Sequence, residues 1–265
     1  MAPTYLDDIV AFHRARVSDD TRDWRERLGT VRYEGPSMLA ALSGAPTTDI
    51  KVIAEVKRRS PSKGWIDEHL DAPSLARAYE LGGAAAISVL PDEPHFSGSL
   101  NDFAQVRAAV TLPLLRKDFT LRANDVLDTA AMGASAVLLI VAALDDDELA
   151  LFVDVAQQCG LDALVEVHDA EELRRALDQG ARLIGVNQRD LRTFEVSFER
   201  AASLVGAMPA GVTSVVESGL TTRRDVEDAA RAGFDAILVG ETFVRSAPPQ
   251  ATVRSFASVA RVPGA

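Results

Sequence analysis

The sequence predicts an α/β fold, a (β/α)8 TIM barrel with an N-terminal helical extension. Eight short runs of nearly continuous apolar residues alternate with stretches of helical period, which is typical of parallel strands buried on both faces. Several helical stretches end in a glycine, such as Gly133 or Gly160, that leads directly into the next apolar run. A chain of 265 residues is about the size of one such barrel.

The first 50 residues differ from the rest because they carry no strand pattern. Apolar residues recur at helical spacing from Leu6 to Val17, and weaker helices are predicted over Thr21–Leu28 and Ser37–Leu42. A disordered tail is the alternative, but the amphipathic pattern argues against it. We therefore expect residues 1–50 to form a helical extension packed on a barrel of residues 51–265, in a single domain.

From residue 51 onwards a strand–helix unit repeats eight times. The predicted strands are Val52–Val56, Ala85–Leu90, Leu112–Lys117, Ala136–Val141, Ala163–Val167, Leu183–Asn187, Ser214–Ser218 and Ala236–Gly240. The predicted helices are Ser74–Leu81, Ser99–Ala109, Asn124–Met132, Asp146–Gln158, Ala170–Gln179, Phe198–Val205, Arg223–Ala232 and Gln250–Ala260. A doubly wound open sheet is the alternative, but it would have fewer strands and a glycine-rich turn after the first one.

Composition restricts the function classes. The formal net charge is −11 and the chain has no basic block, so we expect neither nucleic acid nor membrane as a partner. The longest apolar run, Ala136–Leu144, is too short to span a bilayer, and the first turns carry Asp7 and Asp8 instead of a secretory signal. Cys159 is the only cysteine and is read as a small apolar residue near a helix end. These features predict a cytoplasmic protein.

Acidic and basic residues collect at the predicted carboxyl ends of the strands, where this fold keeps its catalytic groups. Glu55 and Lys57 are two apart on the first strand and therefore share a face. Lys117 ends the third strand, Glu166 lies within the fifth, and Glu217 lies near the end of the seventh. A single buried glutamate would be read as a structural ion-pair partner, but this recurrence predicts a mutually paired ring with shifted pKa values.

Other residues near the strand ends suggest binding functions. Ser218–Gly219 and Gly240–Glu241 follow the seventh and eighth strands, where barrels frequently bind phosphate through backbone N–H groups. Phe96 and Phe119 follow the second and third strands and could wall an aromatic substrate. The histidines, His13, His69, His95 and His168, lack metal-ligand spacing and are interpreted as surface or loop residues. A supporting role for His168 at its strand end is the less favoured alternative, and we expect no metal.

These motifs resemble the indole-3-glycerol-phosphate synthase family of tryptophan biosynthesis over essentially the whole chain. The matching segments are Ile53–Gly64, Ile87–Leu90, Phe96–Ser99, Leu114–Phe119, Ala136–Val141, Leu164–His168, Ile184–Leu191, Val216–Leu220 and Leu238–Glu241. The resemblance implies a carboxy-lyase without a cofactor, whose substrate is a phosphorylated aromatic small molecule, 1-(2-carboxyphenylamino)-1-deoxyribulose 5-phosphate. It is consistent with a monomer or a weak homo-oligomer.

The resemblance also implies residue roles. Lys117 would be the general acid for ring closure, while Glu166 and Lys57 would share the acid and base roles in dehydration, in an order left open. Glu55 would orient Lys57. Three further polar residues would position the substrate, namely Asn187, Glu217 and Ser218. Arg189 would contact the substrate carboxylate or support the acids. The aromatic ring would pack against Phe96, Phe119 and Leu191, and the phosphate would bind Ser60, Gly219, Gly240 and the N–H of Glu241.

Three alternatives remain at this stage. Pro91 and His95 depart from the residues usual in the family, so the chain could be a paralogue that serves a secondary-metabolite pathway. Another phosphate-binding barrel enzyme, such as phosphoribosylanthranilate isomerase, would need a Cys and Asp pair at strand ends, whereas Cys159 is predicted in a helix. A non-catalytic binding barrel would not need the charged ring.

Overall fold

The computed structural model describes residues 4–16, 20–43, 49–60, 63–190 and 195–261. Its centre is a closed barrel of eight parallel strands in which each strand pairs with its neighbours along the chain and the last pairs with the first. The strands are β1 (Lys51–Val56), β2 (Ala86–Val89), β3 (Leu114–Arg116), β4 (Ala136–Ile140), β5 (Asp162–Val167), β6 (Leu183–Asn187), β7 (Thr213–Glu217) and β8 (Ala236–Val239). The predicted (β/α)8 barrel is confirmed.

A ring of helices surrounds the barrel, one after each strand. These helices are α4 (Ala72–Gly82), α6 (Leu100–Ala109), α7 (Ala123–Ala131), α8 (Asp146–Gln158), α9 (Ala170–Asp178), α10 (Phe198–Val205), α11 (Arg223–Ala232) and α13 (Pro249–Ala257). Local sequence sets their ends: Asp145 forms a capping box with Glu148 at the start of α8. At the end of α11, Gly233 adopts a φ of 98°, which a residue with a Cβ rarely adopts. Cys159 lies buried at the end of α8, as predicted.

The N-terminal extension contributes three helices, α1 (Tyr5–Arg16), α2 (Trp24–Leu28) and α3 (Met38–Ser43). Helix α3 covers the end of the barrel at which the strands begin, because Asp162, the first residue of β5, accepts hydrogen bonds from the Leu39 N–H and the Ser37 hydroxyl. Met38 and Leu42 are fully buried there against the inner face of the strands. Helix α1 lies at the opposite end, where the strands finish.

Four short elements were not predicted, and several strands are shorter than predicted. The additions are a hairpin of Arg59–Ser60 with Gly64–Trp65, helix α5 (Glu93–Phe96), a 3-10 turn (Val141–Ala143) and helix α12 (Glu241–Arg245). Strand β3 begins at Leu114 and not at Leu112, because Pro113 has no N–H to add to the ladder. The 3-10 turn ends the fourth strand at Ile140. All four elements lie in connections after strand ends, where alternating patterns give no signal.

The apolar core forms two layers. The larger lies between the strands and the surrounding helices and includes Tyr79, Phe103 and Phe234, each fully buried. The smaller lies inside the barrel and includes Ile53 and Leu115 beside the residues of α3. Among the helices in the described ranges, none combines the length and the apolar character that a membrane span requires.

Candidate active site

A cavity of about 370 Å³ opens at the carboxyl ends of the strands. All but one of the site residues predicted from sequence line it: Glu55, Lys57, Ser60, Phe96, Lys117, Phe119, Glu166, Asn187, Arg189, Glu217, Ser218, Gly219, Gly240 and Glu241. The exception, Leu191, lies outside the described residues. The barrel therefore brings together residues that are up to 186 positions apart in sequence, from Glu55 to Glu241.

Lys117 lies at the centre of this cavity, just after β3. Its Nζ is 3.1 Å from Glu166 Oε2 and 3.2 Å from Glu217 Oε2, so one ammonium group bridges two buried carboxylates. Burial alone would lower the pKa of Lys117, but the charges of Glu166, Glu217 and Glu55 overcome that effect and hold the pKa well above its ordinary value. Lys117 is therefore a cation that yields its proton only to a strongly basic atom.

The two carboxylates beside Lys117 differ in their ionisation. Burial alone would raise the pKa of Glu166, but Lys117 and His168 outweigh that effect. The pKa is therefore lowered and the carboxylate stays charged. For Glu217, burial and the nearby Glu166 outweigh the effect of Lys117 and raise the pKa to about 7. Its Oε1 atom is buried without a hydrogen-bond partner in the described structure. Gly185 makes room for it, because a Cβ there would lie 2.2 Å from that oxygen.

Glu55 and Lys57 form a second ion pair on the neighbouring wall. Their Oε2 and Nζ atoms are 2.7 Å apart, and the Glu55 side chain is almost completely buried. Gly240 has a role that the sequence did not suggest, since a Cβ at that position would lie 2.2 Å from Glu55 Oε2. The predicted ring thus consists of two groups, Glu55 with Lys57 and Lys117 with two glutamates. Both groups face the cavity.

Asn187 links the Glu166 carboxylate to the next strand end. Its Nδ2 donates to Glu166 Oε1 at 3.0 Å, and its Oδ1 accepts from the Ser218 hydroxyl at 2.8 Å and from the Arg189 N–H at 3.0 Å. With Lys117 on its other oxygen, Glu166 is held from two sides. A carboxylate held in this way presents a fixed orientation to any bound molecule.

The prediction that the histidines lie on the surface or in loops is wrong for His13, which is buried on α1, whereas His168 does lie in the loop after β5 but is half-buried and paired. His168 Nε2 is 3.4 Å from Glu166 Oε1, and its Nδ1 is 2.9 Å from Glu172 Oε2. Burial would lower the pKa of His168, but these two carboxylates raise it to about 10. His13 is buried on α1 beside Asp92. The one available signal for His168 was its position one residue after β5.

The predicted phosphate residues meet at one end of the cavity. Ser218 and Gly219 have φ values of 69° and 73°, so two successive residues adopt a left-handed backbone conformation next to Gly240 at the start of α12. Sequence reasoning did not assign Lys63 and Arg245, which also line the cavity. Their side chains lie 3.3 Å and 3.1 Å from Glu241 Oε1. Lys63 could have been found, because it lies within the first motif.

The opposite wall is apolar. Phe96 and Phe119 lie with ring centroids 6.4 Å apart and an angle of 32° between the ring planes. Helix α1 adds Tyr5, Leu6 and Ile9, of which the sequence predicted only a helical position for the last two. The cavity is therefore charged at its floor, apolar on one side, and lined by two glycines and two cations on the other.

Comparison with known proteins agrees with this arrangement. The model of the family described as "Indole-3-glycerol phosphate synthase" matches residues 6–256. A protein of that name from Micrococcus luteus is 48% identical over 257 residues, which cover 95% of this chain and 96% of the relative. Another from Kineococcus radiotolerans is 49% identical over 256 residues, covering 94% and 93%.

Solved structures share the fold at low identity. Thiamine phosphate pyrophosphorylase from Pyrococcus furiosus superposes with a TM-score of 0.60 at 16% identity, covering 79% of this chain and 95% of that one. An N-acetylmannosamine-6-phosphate 2-epimerase from Clostridium perfringens gives 0.61 at 16% identity, with coverage of 81% and 93%. At this identity the likeness concerns the fold alone.

Proposed function

The chain belongs to the indole-3-glycerol phosphate synthase family, and we propose that the residues around Lys117 carry out that family's ring closure, decarboxylation and dehydration. It is a carboxy-lyase of tryptophan biosynthesis that acts on a phosphorylated small molecule. The observation that carries the assignment of roles is the Lys117 ammonium group, held between two buried carboxylates at the floor of the cavity.

Ring closure needs an acid at the substrate's carbonyl oxygen. When the aromatic carbon attacks that carbonyl, the oxygen becomes an alkoxide, and Lys117 Nζ donates a proton to it. The raised pKa of Lys117 suits this step, because such an ammonium group protonates an alkoxide but not the starting ketone. The carboxylate on the aromatic ring then leaves as carbon dioxide, and its bonding electrons return to the ring.

Dehydration needs an acid for the departing hydroxyl and a base for the proton whose loss completes the indole. We assign the acid to Lys57, which is paired with Glu55 at 2.7 Å. We assign the base to Glu166, because its lowered pKa keeps it a carboxylate at neutral pH. His168 is a positioning residue. One ring nitrogen contacts Glu166 and the other contacts Glu172 on α9.

Substrate binding follows from the three sides of the cavity. The phosphate lies against Ser60, Gly219, Gly240 and the Glu241 N–H, with Lys63 and Arg245 adding positive charge. The aromatic ring packs against Phe96 and Phe119, and Arg189 faces its carboxylate. Ser218, Asn187 and Glu217 position the ribulose chain.

The direct test is conversion of the carboxyphenylamino deoxyribulose phosphate, followed by indole fluorescence and mass spectrometry. The expected product lacks one carbon dioxide and one water relative to the substrate. An isomerised product of unchanged mass would favour the isomerase alternative, and no turnover would favour a binding barrel. The secondary-metabolite alternative is distinguished by complementation of a tryptophan auxotroph.

Two variants test which carboxylate takes part in the dehydration. Glu166→Gln should accumulate the ring-closed, decarboxylated alcohol, which is heavier than the product by one water. The variant can close the ring but lacks the base that the later dehydration needs. If Glu55→Gln accumulates that species and Glu166→Gln does not, the base is Glu55 and our assignment is wrong.

The remaining features are also part of the proposal. Residues 1–50 and 51–265 form one folding unit, supported by the shared core of Met38, Leu42 and the barrel interior. The protein works in the cytoplasm as a monomer or weak homo-oligomer, without nucleic acid or membrane as a partner. Sedimentation at micromolar concentration and a single unfolding transition test the oligomeric state and the single unit.

A further inference from the structure

We propose that His13, Asp92 and His95 form a site for a divalent transition metal ion, of which zinc is the best match, and that the bound ion fastens helix α1 to helix α5. The three residues come from two distant parts of the chain. His13 lies on α1, whereas Asp92 and His95 lie at the N-cap and within α5, the short helix that follows β2. None of them belongs to the catalytic residues proposed above.

The donor set has the chemistry and the spacing for such an ion. One ligand atom from each residue can be chosen so that all three lie within 4.8 Å of one another. The Nε2 of His13 is 3.0 Å from Asp92 Oδ1, and the Nδ1 of His95 is 3.0 Å from Asp92 Oδ2. Ligand atoms of a tetrahedral zinc ion lie about 3.3 Å apart, so each histidine nitrogen already lies near that distance from an oxygen of Asp92.

Two of the ligand atoms are buried and have only each other as partners. The His13 and Asp92 side chains are 4% and 1% exposed. His13 Nε2 and Asp92 Oδ1 form an ion pair at 3.0 Å, and neither atom has another hydrogen-bond partner among the described residues. A neutral imidazole and a carboxylate at this distance can bind a shared ion in place of their direct contact.

Access and the open position are also consistent with an ion. The His95 side chain is 18% exposed, so an ion can enter from the solvent side. The second oxygen of Asp92 accepts the His95 N–H at 3.0 Å, which fixes the carboxylate as a cap of α5. Three protein ligands leave a fourth position for water.

The site would act on the wall of the cavity. The His13 ring stacks on Phe119 with centroids 5.2 Å apart, and Phe119 lines the cavity. Leu6 and Ile9, two turns and one turn before His13 on α1, line it as well. An ion that joins α1 to α5 would therefore hold this apolar wall in place. This inference does not depend on the chemical roles proposed for Lys117 or Glu166.

The test uses chelator-treated, full-length protein titrated with Co²⁺ and with Zn²⁺. We expect one Co²⁺ per chain, with visible absorption bands of a four-coordinate ion that Zn²⁺ displaces. Excess Zn²⁺ should raise the melting temperature by roughly 5 °C and slow hydrogen exchange in Tyr5–Arg16. Asp92→Asn, which keeps the helix cap, and His95→Gln should abolish the bands, whereas the exposed His69→Gln should retain them.

Circular dichroism of the variants confirms that they are folded before the titration. If His13, Asp92 and His95 only contact one another directly and bind no metal, the native protein will show no Co²⁺ bands. That result would overturn the proposal. Bands that persist in both Asp92→Asn and His95→Gln would place the ion elsewhere on the chain and would equally overturn it. Catalytic activity is not a readout, so a wrong assignment of the reaction cannot produce either result.

Discussion

The two ends of the barrel interior are built from the same eight strands but are filled in opposite ways. At the end where the strands begin, Met38 and Leu42 of α3 close the barrel with fully buried apolar side chains. At the other end, Lys57 and Lys117 lie among three buried glutamates around an open cavity. Burial favours folding at the first end and opposes it at the second, because charges lose their hydration.

The difference separates stability from chemistry within one chain. A substitution at the apolar end removes van der Waals contacts that lie away from the cavity. At the charged end, burial and neighbouring charges set the ionisation of the side chains that line the cavity. Burial and the charge of Glu166 raise the pKa of Glu217 against the effect of Lys117, whereas Lys117 and His168 lower the pKa of Glu166 despite its burial. Variants at the two ends should therefore change different measurements.

The largest expected effect is at Lys117. Lys117→Met should lower kcat/KM by about 10²–10⁴-fold, because the alkoxide formed at ring closure loses its proton donor. The melting temperature and circular dichroism spectrum establish whether the variant is folded. Lys51→Met is the matched control, since Lys51 begins the first strand at the opposite end of the barrel.

The proposed contrast between the two ends is wrong if Lys117→Met is folded and converts substrate at a near-native rate. It is also broken if Lys51→Met loses activity to the same degree, because the rate would then depend on charge anywhere in the barrel. Single-turnover measurements separate loss of chemistry from loss of binding.

The second effect is at the apolar end. Leu42→Ala should lower the free energy of unfolding by about 2–5 kcal/mol, because it leaves a cavity in a closed part of the core. The value is obtained from urea unfolding, with Leu81→Ala as control, since Leu81 is 66% exposed. At 25 °C kcat should stay within about twofold of native. A tenfold loss of kcat in folded Leu42→Ala would show that the two ends are coupled.

His168 gives a third test, in the pH dependence of stability. The folded-state pKa of His168 is raised from 6.5 to about 10. Its contribution is therefore fully present below pH 6.5 and is lost as pH rises towards 10. Unfolding free energy of the native protein should fall through that window by a few kcal/mol, and His168→Gln should flatten the curve.

Three other groups also affect the dependence of unfolding free energy on pH, namely Glu217, Cys159 and Lys117. Their effects fall mostly outside the range from pH 6.5 to 10. The raised pKa of Glu217 removes stability between about pH 4.5 and pH 7, whereas Cys159 and Lys117 act above their ordinary values of 9.0 and 10.5. An unchanged slope between pH 7 and pH 9 in His168→Gln would show that His168 does not hold its proton through Glu166 and Glu172.

Sequence reasoning recovered the barrel because its signals are local and repeated. Apolar runs with helical stretches between them fix eight strands, and strand direction then places Lys117, Glu166 and Glu217 at one rim. The same reasoning placed Glu55 beside Lys57, but it could not tell which carboxylates reach Lys117, since that depends on the angle of neighbouring strands. Two separate groups were therefore found where a single ring was predicted.

Residues that act across the chain were missed for a related reason. Tyr5 and Ile9 follow ordinary helical spacing, and nothing local indicates that α1 lies over the far end of the barrel. His13 looked like a surface residue because its partner, Asp92, is 79 positions away. The role of Gly185 and Gly240 as space for glutamate side chains is likewise visible only in three dimensions.

The smallest expected effect tests how α3 is attached. The Ser37 hydroxyl accepts the Ala40 N–H at 3.0 Å at the start of α3 and donates to Asp162 Oδ2 at 2.8 Å. Ser37→Ala should lower the free energy of unfolding by about 1 kcal/mol, because the Leu39 N–H still holds Asp162 at 2.9 Å. Ser37→Thr, which keeps the hydroxyl, should recover most of the loss, with turnover unchanged in both. If Ser37→Ala instead costs as much as Leu42→Ala, this cap and not apolar burial closes that end of the barrel, and the contrast between the two ends would need to be redrawn.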